Sequence, residues 1–540
     1  MTTFYAGLTT LFRRERLVTG VFFGLLLVVG LVLVGDYGIS LDESQQRNVG
    51  LVSLKYVCER LFPGFIASHE NFAIVNPPLH EFVDRDYGVA FEMTVVYIEQ
   101  AFRITGWDKV FLFRHICTFL VCFGGAIALY QLARRRFGDW RLGLLGAGLL
   151  VISPRMFAES FYNDKDMVFM AVFVIATNTA VALVARPTWQ RVGWHALACA
   201  CCIDVRVMGI LLPLATLFML GLQASRGAYR GQQLGAKIAV YLVLFLAIML
   251  ALWPYLWEAP LRNFGQAFEN MSKFRWDGEV LYQGNLILAT SLPWHYAPVW
   301  IGITTPVLYL VGFLVGAALI LWQLARRGWR LYATEAEWQD LFFLGLTLAP
   351  VVAVIVFGSV LYDGWRQLYF LYPSLLLVAL RGLVALGQWP LARRAWPRWW
   401  PRLSYGVLAA TLLATAGQMV AMHPLQNTYF NVLPGRHLEE RFEIDYWVLS
   451  YRQALEWIAR HDSRAHIAVV TQLPGALNIT RLAMPDYDRD RLEVVTDGSK
   501  ADYFITTYRW HPQPYYELPN EMTSIRCGGQ RILSIFRTKW

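Results

Sequence analysis

LVTGVFFGLLLVVGLVLV (Leu17–Val34) runs directly into GDYGISLDE (Gly35–Glu43). The first run carries no charge and comes close to the roughly 20 apolar residues that a bilayer crossing takes. It is too long for a typical signal h-region and lacks an A-x-A-like cleavage site, so it reads as a retained helix. Arg13, Arg14 and Arg16 precede it, which puts the N-terminus in the cytoplasm. The second run ends on Asp42-Glu43 at the outer mouth of that helix. Carboxylates in such a place are costly and are kept for chemistry or transport.

Working outward, apolar runs recur along the chain, and they define its class. The 540 residues are 56% hydrophobic and only 16% charged, against about 25% charged in soluble domains. The fold class is therefore a polytopic α-helical membrane protein. Arg134-Arg135-Arg136, Arg226, Arg230, Arg326-Arg327 and Arg393-Arg394 fall in short loops, as cytoplasmic arginines do. The net charge of +9 is thus a topological signal. No soluble segment carries a basic stripe with interleaved aromatics, which argues against nucleic acid as a partner.

About eleven transmembrane helices are predicted, with long outer loops at 36–108 and 254–298. The stretches Gln46–Leu61 and Glu92–Phe102 are amphipathic and suit the membrane interface. A break is predicted at Ser153-Pro154. The region Trp194–Leu222 reads as two short helices turning at Asp204-Val205-Arg206, or as one long helix with a buried Asp-x-Arg pair. Eleven crossings divide the chain into a membrane module, 1–422, and a C-terminal remainder, 423–540, outside the membrane. That remainder has a helix-like run (Tyr451–Arg460) and strand-like runs (His466–Val470, Tyr503–Thr507, Ile532–Phe536), and reads as a small extracytoplasmic α/β domain. Of the seven cysteines, Cys117, Cys122, Cys199, Cys201 and Cys202 read as small core residues. Only Cys58 and Cys527 fall in outer segments, which leaves a disulfide between them open.

Asp42-Glu43 has two readings. One is a general base and its neighbour, the two carboxylates repelling so that the pKa of one rises. The other is an acidic pair at a helix N-terminus, with Ser40 as N-cap. Asp164-Lys165-Asp166 likewise reads as a second acidic site facing an acceptor, or as a cap region with Asn163 as N-cap. Asp164 and Asp166 are also the pair that would hold a divalent cation, if one is used. Arg366, Arg206, Lys165 and Arg47 are candidates for a phosphate, which guanidinium forks bind in two-point fashion; each alone could be a snorkelling surface cation. Trp294, His295 and Tyr296 could stack on a sugar or an isoprenoid tail, or belong to an interfacial aromatic belt. Asp363 could join them or simply pair with Arg366, and His80 is a lone loop histidine. No zinc, nucleotide-binding or serine-hydrolase motif is present.

Taken together, Leu41-Asp42-Glu43, Pro77-Pro78-Leu79, Asn163-Asp164-Lys165-Asp166, Leu292-Pro293-Trp294-His295-Tyr296, Tyr362-Asp363-Gly364-Trp365-Arg366 and His423-Pro424 resemble the GT-C superfamily of membrane glycosyltransferases. The likeness is to its family 39 type, the protein O-mannosyltransferases and aminoarabinose transferases. Tyr429-Phe430-Asn431 and Asp445-Tyr446-Trp447 are similar to bacterial members. The resemblance implies an inverting transfer from a polyprenyl-phosphate sugar, undecaprenyl-linked in a bacterium, at the outer face of the inner membrane. Asp42 would be the catalytic carboxylate, and no metal would be required. The acceptor would be a lipid, a glycan or a protein. Asn76 stands where the mannosyltransferases have His before Pro-Pro-Leu, a departure that weakens the case for a protein acceptor. A lipid-linked sugar flippase or transporter, and a non-catalytic membrane scaffold, are the rival readings.

Overall fold

The computed structural model describes residues 2–69, 75, 77–229, 231–392, 399–518 and 520–538. Asn76, Arg230, Arg393 and Arg394 lie outside the described residues. Helix α1 (Thr2–Leu33) leads through the Asp42 turn into α2 (Glu43–Leu61), α3 (Pro63–Ala67) and α4 (Ala90–Ala101). Helices α5 (Trp107–Phe137), α6 (Trp140–Val151), α7 (Pro154–Tyr162), α8 (Asp166–Ala185), α9 (Trp189–Val205), α10 (Leu211–Ser225) and α11 (Gly231–Leu252) follow. Next come α12 (Pro260–Ser272), a hairpin of β1 (Glu279–Tyr282) and β2 (Asn285–Leu288), and α13 (Tyr296–Thr304). Helices α14 (Val307–Arg327), α15 (Glu335–Phe357), α16 (Tyr372–Ala392) and α17 (Trp400–Met422) complete the bundle.

Among the described residues, nine helices are long and apolar enough to cross a bilayer. The α6–α7 pair makes a tenth if it is one span, bent by 71° at the predicted Ser153-Pro154 break. The remaining predicted crossing falls on α9, whose 17 residues are short of the roughly 20 a span takes. Helix α9 packs between α8 and α11 and breaks at Arg206, so two helices replace the single long one. Helices α14 and α16 pack backbone to backbone. A Cβ at Gly316 would lie 2.0 Å from the Val378 carbonyl oxygen, so the small residues Gly312 and Gly316 let the two backbones touch.

After α17, the C-terminal part contains α18 (Ser450–His461), β3 (Ile467–Thr471), α19 (Pro474–Leu482), α20 (Asp486–Arg491), β4 (Leu492–Val494), β5 (Tyr503–Thr506), β6 (Glu521–Cys527) and β7 (Gln530–Arg537). Its sheet has the order β4-β3-β5-β7-β6, parallel over the first three strands and antiparallel beyond. The chain is thus a polytopic helical protein with a small C-terminal α/β domain. The two parts share packing. Met422, Leu425, Tyr429, Phe442, Tyr446 and Trp447 join the bundle's core, and the domain's own core begins at Val448. Cys58 and Cys527 are both free thiols. The Cys527 thiol points at the Met422 carbonyl, 3.6 Å away, and no disulfide joins the pair.

Candidate active site

The turn after α1 separates Asp42 from Glu43. Glu43 folds back over the start of α2, where its carboxylate accepts the Ser40 N–H at 2.6 Å and lies 2.9 Å from His115 Nε2. The Ser40 hydroxyl donates instead to the Tyr162 carbonyl at 3.2 Å, so Ser40 is no N-cap. Glu43 is buried, whereas the Asp42 side chain keeps 29% of its surface and accepts from Arg366 Nη1 at 2.9 Å. The neighbouring carboxylates therefore do not share a cavity mouth. One ties down the helix start, and the other faces outward in the reach of a cation.

The second acidic cluster also divides. Asn163 caps α8, its Oδ1 accepting the Asp166 N–H at 2.8 Å. Asp166 then accepts from Arg206 and, at 3.0 Å, from the same Arg366 Nη1 that holds Asp42. Asp164 turns the other way, 2.7 Å from Arg114 Nη2, which also donates to Glu92. Burial, and then the neighbouring Glu92, push the Asp164 carboxyl well above its usual range. The Lys165 ammonium sits 3.5 Å above the Tyr87 ring. Burial and the Arg206 charge beside it lower Lys165 to about 8.

Arg366 is the hub. Its guanidinium lies between the rings of Tyr362 (4.8 Å) and Trp447 (4.7 Å), and Asp363 holds Nη2 at 3.2 Å. From the loop after α12, Phe274 stacks on Tyr362 and Trp276 leans against it at a tilt. Arg366 Nε is buried without a hydrogen-bond partner among the described residues. Beside this cluster lies a cavity of about 640 Å³, within the usual size range of ligand sites. Lys165, Arg206, Tyr87 and Tyr362 line its polar end; Leu214, Phe268, Ala353, Val354 and Phe357 line its apolar part. Leu214 and Phe357 are exposed on the outer surface of α10 and α15, so the apolar part opens sideways, toward lipid.

The sequence matches no family model and no curated protein. Among solved structures, the chain is similar to ArnT from Cupriavidus metallidurans, at 14% identity and a TM-score of 0.47 over 96% of this chain and 97% of that one. A second structure of that protein contains undecaprenyl phosphate. It is also similar to the oligosaccharyltransferase of Archaeoglobus fulgidus, at 11% identity and a TM-score of 0.45 over 89% of this chain. There it spans 65% of the archaeal chain, less than two thirds of its length.

The other sequence-derived candidates stand apart from Arg366. Arg47 is engaged by Glu99 at 2.5 Å and by the Trp107 ring, so it is not available to a phosphate at Asp42. His80 lies in a separate cleft with Tyr56, Glu258 and Arg262. His295 Nδ1 is bonded to the Tyr282 hydroxyl at 2.6 Å, and Trp294 is exposed. Tyr296 is buried near Asp363 and Glu443, and burial raises its phenol far above the ordinary value. Asp204 accepts the Val89 N–H at 2.9 Å, capping α4 from outside. Among the described residues no three His, Cys, Asp or Glu side chains cluster as a metal site. The carboxylates that would serve, Asp164 and Asp166, are each taken by arginine. Sequence reading overlooked Arg114, His115, Glu92 and Arg509. The first two are charged or polar side chains inside the apolar run of α5, a signal that was present. Arg509 gave none, since nothing local distinguishes it from other loop arginines.

Proposed function

We propose that this protein is an inverting glycosyltransferase that takes its sugar from a polyprenyl-phosphate carrier. The observation that carries the reading is the joining of an apolar, laterally open cavity to a cationic end beside a partly exposed carboxylate. A polyprenyl chain suits the apolar part, and its phosphate suits Lys165 and Arg206, which line the polar end. Asp42 accepts the proton of an acceptor hydroxyl. That oxygen forms its bond to the anomeric carbon as the bond to the phosphate oxygen breaks. The electron pair leaves with the lipid phosphate, whose growing charge the cations stabilise. The resemblance of the Asp42 and Asp164 motifs to GT-C enzymes supports the same roles.

The arginine-rich ends of the helices, at Arg134, Arg226, Arg326 and Arg327, lie opposite the Asp42 end in chain order. By the positive-inside tendency the site then faces the periplasm of a bacterial inner membrane, with the N-terminus cytoplasmic and the C-terminal domain outside. The acceptor is a lipid, glycan or protein reaching the site from that side. A divalent cation would have to displace arginines from Asp164 or Asp166, so the phosphate is assigned to the cationic side chains.

The test uses full-length protein in vesicles with polyprenyl-phosphate sugars and an envelope extract as acceptor. Wild type should consume the donor and release polyprenyl phosphate, and Asp42→Asn should be slower by about 10²–10⁴-fold while remaining folded. Undiminished transfer by Asp42→Asn would sink the assignment. Movement of intact donor across the vesicle without cleavage would favour a transporter.

A further inference from the structure

Arg509 belongs to the C-terminal domain, in the loop that follows β5. Its guanidinium is buried and reaches out of that domain: Nη1 donates to the Tyr446 carbonyl at 2.7 Å and Nη2 to Asp363 Oδ1 at 2.7 Å. Asp363 holds Arg366 through its other oxygen, and Arg366 holds Asp42 and Asp166. A continuous chain of charges thus runs from the loop after β5 to the partly exposed Asp42. The backbone is committed to it. Tyr508, Trp510 and Asp363 all have left-handed φ, at 61°, 62° and 56°, a region that side chains other than Gly, Asn and Asp rarely enter. Such conformations persist where surrounding contacts over-determine them. Here Trp510 Nε1 donates to the Glu279 carbonyl of β1 at 3.0 Å, pinning the loop on its other side.

We propose that Arg509 is a positioning residue of the active site, occupying one Asp363 oxygen so that Arg366 turns its Nη1 toward Asp42 and Asp166. The proposal rests on the transferase reading above. Without Arg509, both Asp363 oxygens are free to grip Arg366 in the fork-to-fork geometry that guanidinium and carboxylate favour. That grip draws the guanidinium away from Asp42. The C-terminal domain is then the last part of the site, although it contributes no group that touches substrate.

The experiment compares full-length wild type, Arg509→Ala, Arg509→Lys, Asp363→Asn and the Arg509→Ala/Asp363→Asn double variant. Arg509→Ala should lower kcat by about 10²-fold, the scale of a small misplacement of a reacting group. Its donor KM should stay within about twofold, because Lys165 and Arg206 at the cavity's polar end are untouched. Arg509→Lys should recover about tenfold of that loss by keeping one charged contact. The double variant should be no slower than Asp363→Asn alone. An unchanged kcat in Arg509→Ala, or a double variant whose loss is the product of the single losses, overturns the proposal. If wild type transfers no sugar, the transferase reading fails instead. Melting temperatures of the same proteins in detergent then decide: non-additive losses support the Arg509–Asp363 linkage, and additive losses overturn it.

Discussion

Asp42 and Glu43 are adjacent carboxylates with opposite surroundings, and only the fold could separate them. The sequence marks both as acids at a membrane surface, but which one stays partly exposed beside Arg366 depends on His115, 72 residues from Glu43, and on the Ser40 amide. Lys165 was legible as a phosphate candidate. Its environment adds a pH dependence: burial and Arg206 lower it to about 8. The sign follows from which form binds phosphate. The ammonium is present below that pH and is lost as pH rises through it. Donor KM should therefore rise above about pH 8 in wild type. Lys165→Arg, whose guanidinium stays charged, should move that limb out of the accessible range. Identical profiles for the two proteins would show that another group titrates.

Most spans were readable from length and apolar character, because a bilayer demands both within one continuous segment. The broken elements were readable from Pro154 and from the charges at 204 and 206. What averaging over a segment hides is pairing between elements. Glu92 on α4 and Arg114 on α5 look unrelated until α4 is placed by Asp204 at its first amides. In the C-terminal domain, β4 has three residues and β6 is largely polar, so neither shows a strand period. The junction of α4 with α9 makes a prediction of its own. A Cβ at Gly88 would lie 1.2 Å from the Asp204 carbonyl oxygen. Gly88→Ala must push α4 off α9 and break the Val89–Asp204 hydrogen bond. Overpacking of this kind costs roughly 1–3 kcal/mol or more, read as a lowered melting temperature in detergent. An unshifted melt would mean that the two elements are not in contact.

At the scale of the molecule, the division at 422 is one of composition more than of packing. Residues 422 to 447 turn hydrophobic side chains into the bundle's core, and Trp447 forms one wall of the Arg366 site. No periodicity along a single segment encodes such a shared core, because it depends on contacts between segments far apart in the chain. The cavity is likewise a property of the assembly, with walls from α10, α12 and α15 and cations from the turns before α8 and after α9. Its two ends should therefore be separable by mutation. Ala353 lies on the apolar wall, within the span α15. Ala353→Trp fills space that the lipid tail would occupy and leaves Lys165, Arg206 and Arg366 untouched. Affinity for a long-chain polyprenyl phosphate should then fall about tenfold or more, since each methylene kept out of the cavity forfeits about 0.8 kcal/mol. Affinity for a short-chain analogue, held mainly by its phosphate, should change little. Binding to detergent-solubilised protein, titrated with the two chain lengths, checks this. Equal losses for both would place the lipid tail elsewhere, because a blocked tail channel cannot weaken a ligand that has no tail to insert.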